Sequence, residues 1–170
     1  MKKDNACKYR GGKLAFFLLA VLLLSLLLVS CSQEGQFGVY LVDTGELVFS
    51  EKHVEVYEAA TRSFVLNEQG QERWNSFQTY QDMPQLDQTL TGRDFAIRIN
   101  DELVCQGKFW SMALSTSREG IVLLDSLMPL NVQYNIVMLQ QGYPEYESIP
   151  LATAITDGLT EFFKAKGKLN

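Results

Sequence analysis

Residues 14–29 read LAFFLLAVLLLSLLLV, sixteen residues broken only by Ser25, behind the basic stretch KKDNACKYRGGK. This is the layout of a secretory signal. As a helix, such a run covers roughly 24 Å, short of the ~30 Å hydrocarbon slab that a permanent span must cross. Length therefore favours a transient segment, and the fold has to be built from the residues C-terminal to it.

Directly behind this run stands Leu28-Val29-Ser30-Cys31, which resembles the lipobox of bacterial lipoproteins: aliphatic, small or aliphatic, small, then cysteine. The resemblance implies that residues 1–30 are a lipoprotein signal peptide, that the small Ser30 fits the signal peptidase, and that the Cys31 sulfur receives diacylglycerol. Cys31 is then the mature N-terminus. The alternative is an uncleaved signal anchor, stretched to about 18 residues by including Ser30 and Cys31. Both readings make a membrane the first partner. Two or three acyl chains such as palmitate hold a protein durably, because each buried methylene contributes about 0.8 kcal/mol. With Ser32 rather than Asp at mature position two, the resemblance implies export to the outer membrane in a Gram-negative cell. The expected location is the extracytoplasmic side of the cell envelope. Residues 31–36 form a short tether: the five residues after Cys31 reach at most about 20 Å, so the domain of residues 37–170 sits close to lipid.

Charge excludes one class of partner. Lys2, Lys3, Lys8, Arg10 and Lys13 against Asp4 give the first 30 residues +4 within a total of −5, leaving residues 31–170 at −9. Only 10 basic residues stand there beside 19 acids, a poor match for a phosphate backbone. Nucleic-acid binding is set aside.

The mature domain reads as one α+β unit. Residues 37–43 and 46–49 form a hairpin around Asp43-Thr44-Gly45, and Ser50 caps a short helical turn from Glu51. Residues 62–66 form a strand, and Asn67 caps a helix over residues 68–80 with Trp74 and Phe77 on its apolar stripe. Gly70 falls on that stripe, where choosing Gly over Ala costs about 1 kcal/mol, and so marks close approach to a sheet. Residues 81–92 read as a solvated connection. Phe95, Ile97 and Ile99 alternate into a tight Asn100-Asp101 turn and a strand from Leu103 that continues through Met112. A Ser/Thr-rich loop at residues 115–120 precedes a buried central strand at 121–124, and residues 134–139 supply the last strand. A C-terminal helix runs to about Ala165 with Ile155, Leu159 and Phe162 on one face and Gly167 as its stop. Strands and helices mix without βαβ alternation, which predicts a mostly antiparallel sheet with helices packed on one side.

Three segments, LVDTGELV, SFVLNEQGQERW and LTGRDFAIRINDELVCQG, in that order, resemble the first periplasmic domain of the Sec translocon subunit SecD. The strand-to-helix step lies at Val65-Leu66-Asn67-Glu68-Gln69-Gly70 and the hairpin spans residues 92–104. The likeness covers about half the chain. It departs at the turn, Asn100-Asp101 in place of Asp-Gly, and at Gln106-Gly107-Lys108-Phe109-Trp110, and the family's multispanning segment is absent. It implies an α+β module exposed outside the cytoplasmic membrane, and no export function.

Catalytic patterns are scarce. His53, the only histidine, lies among Glu51, Glu55 and Glu58, which either raise its proton affinity or simply form a solvated acidic turn. No zinc spacing, phosphate loop or nucleophile elbow is present, so the sequence calls for no cofactor, metal or catalytic residue. Cys105 is either a small buried hydrophobe or a reactive thiol with Lys108 beside it. The acid pairs Asp82 with Asp87 and Glu145 with Glu147 suit a solvated surface or, if they face each other across a groove, glycoside chemistry. Adjacent Phe109 and Trp110 must point to opposite faces of a strand, which makes them the candidate interaction surface. Two functions remain: a noncatalytic lipoprotein domain that binds or scaffolds an envelope protein through a sheet edge or aromatic patch, or a carboxylate-dependent hydrolase of an envelope or cell-wall polymer.

Overall fold

The computed structural model describes residues 36–77, 90–112, 114–125, 128–144 and 151–170, all within the compact unit Gly35–Asn170. The signal segment, the lipobox with Cys31, residues 32–35, Asp82, Asp87, Glu145 and Glu147 lie outside the described residues. Strands β1 (Phe37–Leu41), β2 (Leu47–Ser50), β3 (Val54–Glu58), β4 (Ser63–Leu66), β5 (Asp94–Ile99), β6 (Glu102–Ser111), β7 (Arg118–Asp125) and β8 (Ile136–Tyr143) accompany helices α1 (Glu68–Asn75) and α2 (Thr153–Ala165). The strands form one sheet in the order β2-β1-β5-β6-β7-β8-β4-β3, antiparallel except for β6 beside β7. This is the α+β arrangement expected.

The strand order forces curvature. β2 and β3 stand at opposite ends of the sheet, yet only the 3-10 turn Glu51–His53 joins them. Flat, an eight-stranded sheet would hold its outer strands roughly 33 Å apart. Three residues reach about 10 Å. The sheet must therefore curl until its ends nearly meet, and aromatic side chains fill the inside. Phe64 of β4 lies 5.5 Å from Phe37 of β1 and 5.4 Å from Phe49 of β2, across the seam. Both helices pack against this one cluster. Trp74 of α1 lies 6.1 Å from Phe49, and Phe163 of α2 lies 5.0 Å from Phe37 and stacks on Tyr57.

Period-two alternation places Phe37, Val39 and Leu41 in the core, as it does Phe95 and Ile97. Asn100 and Asp101 both take left-handed backbone angles, φ 53° and 66°, the conformation of a two-residue hairpin turn. Asn67 caps α1 by accepting the Gly70 N–H at 2.9 Å. A Cβ on Gly70 would lie 2.4 Å from the carbonyl oxygen of His53. The close approach is thus real: it is tightest at the 3-10 turn and includes the sheet, where Leu66 Cβ of β4 would lie 3.1 Å away.

Several boundaries differ from expectation. The helical turn after Ser50 lasts three residues, and β3 comes directly after it; a register shift between Val54 and Val56 hides this strand's alternation. α1 ends at Asn75, β7 starts inside the expected Ser/Thr loop, and β8 runs on to Tyr143.

Both ends of the sheet are partly covered. On β3, Tyr57 donates its N–H to Lys168 O at 2.7 Å and accepts from Asn170 N–H at 3.0 Å, so the C-terminus adds a short parallel ladder. On β2, the Arg73 guanidinium donates to Leu47 O at 2.6 Å. A sheet-edge route to a partner is closed at these positions.

Candidate interaction surface

Phe109 does not belong to any surface. It is completely buried, 5.3 Å from Phe95 and 5.8 Å from Trp74, because its strand face is the concave one. Trp110, one residue on, emerges on the convex face and is half-buried. The Arg118 guanidinium carbon sits 5.8 Å from the centre of its ring, a cation–π distance. The indole Nε1 and the Arg118 Nε are both buried and meet no acceptor among the described residues. Beside Arg118 lies a hollow of about 380 Å³ whose walls include Val42, Asp94, Gln106, Lys108 and Ile121. A second hollow of about 360 Å³ shares Val42 and Gln106 and adds Tyr40, Arg98 and Asp101. The convex face of β1, β5, β6 and β7 therefore carries a shallow trough.

Gly107 lets β6 and β7 approach closely, since a Cβ there would fall 2.1 Å from Ile121 O and 2.7 Å from the Phe95 ring. Lys108 is committed to Asp94 at 2.5 Å and to Gly92 O at 3.3 Å. Farther along, partial desolvation pushes the Asp43 carboxyl upward, but the hydrogen bonds and charge of Arg93 outweigh it and bring its pKa down. Arg118 was not singled out by the sequence, where it stands alone in a polar loop; its contact with Trp110 is a tertiary one, since the strand ladder sets Leu124 beside Trp110.

The other reactive side chains are built into the scaffold. His53 is buried rather than solvated, and its Nδ1 accepts the Ser50 N–H at 3.0 Å. Burial, with Lys52 and Arg73 nearby, lowers its pKa, so neither sequence reading holds: the ring is not in a solvated turn, and the acids do not raise its proton affinity. Cys105 is buried, and burial pushes its thiol up to about 12, so it behaves as a small hydrophobe. Tyr57 is likewise pushed up to about 12 by burial. Among the described residues no three His, Cys, Asp or Glu side chains gather into a metal-holding group, and no helix is long and apolar enough to cross a membrane. The acids on which a hydrolase would depend, Asp82, Asp87, Glu145 and Glu147, lie outside the described residues. No family model matches the chain, and no match is found among curated proteins or solved structures.

Proposed function

We propose that this chain is an envelope lipoprotein, anchored through Cys31, whose noncatalytic domain binds or scaffolds an envelope protein on its convex face. The lipobox-like LVSC behind an apolar run supports the anchor. His53 and Cys105, the natural candidates for chemistry, are spent on structure. The observation that carries the binding role is the pairing of Trp110 with Arg118: a half-buried indole under a guanidinium that lines an open trough. Trp and Arg are among the residues that dominate interface energetics, and here they meet on one exposed strand face.

A photo-crosslinking side chain at Gln106 in intact cells tests this reading. The expected result is a discrete adduct with one envelope protein, lost in both Trp110→Ala and Arg118→Ala and retained in Glu102→Ala. An adduct indifferent to the first two substitutions removes the binding face. Mass spectrometry of the N-terminal peptide tests the anchor separately, and an unmodified Cys31 in cells competent for acylation removes it.

A further inference from the structure

Residues 126–144 contain no charged side chain, although 21% of the whole chain is charged. The described part of this stretch before β8 projects as a turn. Val132 is 86% exposed, Tyr134 56% and Ile136 53%, with exposed Met128 at its foot. Isolated exposed apolar residues are ordinary, but a cluster on one uncharged projection is not.

The projection is held in shape. Asn131 and Tyr134 exchange backbone hydrogen bonds at 3.0 and 2.9 Å, and the Asn131 side chain accepts the Gln133 N–H at 2.9 Å. Asn75 of α1 grips its base by donating to Leu130 O and accepting from Leu130 N–H, at 2.9 and 2.8 Å. Its far side is bound to β4, where Asn135 O accepts the Leu66 N–H at 2.8 Å. Apolar side chains are thus presented to the outside on a preformed support.

We propose that this turn rests in the headgroup layer of the membrane that carries the protein, giving the domain a second point of attachment; the proposal rests on the anchored reading above. Three observations favour lipid over a protein. The part of the chain after the signal is strongly acidic, so an anionic bilayer surface repels most of it, and an uncharged patch can approach without that penalty. The composition at the tip, Val132, Tyr134 and Ile136 among Asn131, Gln133 and Asn135, suits a zone that is apolar below and hydrated above. The third observation is placement. Gln36 is separated from Cys31 by a leash of at most about 20 Å. Phe37 N–H donates to Glu51 Oε2, Asn67 bonds Lys52 O and His53 O, and neighbouring Leu66 bonds Asn135. One run of hydrogen bonds through the 3-10 turn therefore links the start of β1 to the base of the projection.

The full-length protein, purified from membranes and returned to vesicles of phosphatidylethanolamine and phosphatidylglycerol, provides the test. An environment-sensitive fluorophore is attached at Val132→Cys and, as a control, at Glu119→Cys on the convex face. Lipids bearing a nitroxide near the headgroup should quench the first label several-fold more than the second, with a blue shift at position 132 only. Equal quenching at both positions overturns the proposal. So does a blue-shifted label at 132 that the nitroxide lipids do not quench, which would place a protein or a second copy there. Val132→Asp combined with Ile136→Asp should abolish the difference while circular dichroism stays native. Mass analysis of the same sample reports whether Cys31 is lipidated. Since the apolar run of residues 14–29 also holds an uncleaved chain on vesicles, the two readings fail separately.

Discussion

The ammonium of Lys168 lies 2.6 Å from the carbonyl oxygen of Glu51, a residue 117 positions earlier, and equally close to the carbonyl oxygen of Val54. These two carbonyls flank the turn that joins the ends of the sheet, so one side chain clamps the seam from outside. Lys168→Met keeps the length of the side chain and leaves both carbonyls without their charged donor. Denaturant titration should show a loss of about 2 kcal/mol, whereas Lys164→Met on the exposed side of α2 should change stability by less than about 0.5 kcal/mol. Equal effects of the two substitutions would remove the clamp.

Gly70→Ala should destabilise the domain despite the better helix former. Alanine gains about 1 kcal/mol in propensity, but its methyl would overlap the His53 carbonyl, and backbone on both sides must yield. The expected net loss is about 1–3 kcal/mol, read from the urea midpoint. A stabilised variant would mean that α1 moves away from the turn without cost.

His53 gives the domain an acid-side sensitivity. Its folded pKa lies below its ordinary value of 6.5, so between the two values the unfolded chain binds more protons. Its contribution to stability is therefore fully present above pH 6.5 and is lost as pH falls through the folded value. Protonation at Nδ1 would also remove the acceptor for Ser50 N–H. His53→Gln, which retains an acceptor but does not titrate, should flatten the stability profile across this window. A wild-type profile no steeper than that of the variant would show that His53 does not contribute.

Cys105 should resist iodoacetamide in the folded protein at about pH 8, because burial holds the thiol protonated, and should react readily in denaturant. Peptide mapping after alkylation distinguishes the two states. Rapid native labelling at Cys105 would require the β5–β6 region to open far more often than its packing suggests.

Much of the scaffold is legible in the chain because its signals are local. Phe95, Ile97 and Ile99 alternate, Asn100-Asp101 accepts a left-handed turn, Asn67 caps, and Ile155, Leu159 and Phe162 repeat at helical spacing. Gly70 is visible as an anomaly, though not the 3-10 turn that it approaches most closely. The parts that escape are those set by distant residues. A register shift conceals β3. Phe163, fully buried in the aromatic cluster, falls on the same stripe one turn after Leu159 and was readable from the spacing, but its place among Phe37, Tyr57 and Phe64 was not. The same holds for the surface. That Phe109 and Trp110 diverge is a matter of strand geometry alone, but which of them faces outward depends on where the helices pack, and the meeting of Trp110 with Arg118 is a tertiary contact that no local pattern announces.

The strand order also dictates when the domain can be finished. The two hairpins made first by a chain emerging from its N-terminus, β1–β2 and β3–β4, end up at opposite limits of the sheet, and the four strands that come later have to be inserted between them. The final closure then waits for the last three residues, which line β3. A nascent or C-terminally clipped chain therefore holds the two hairpins, joined by the 3-10 turn, with aromatic faces that the later strands have yet to cover.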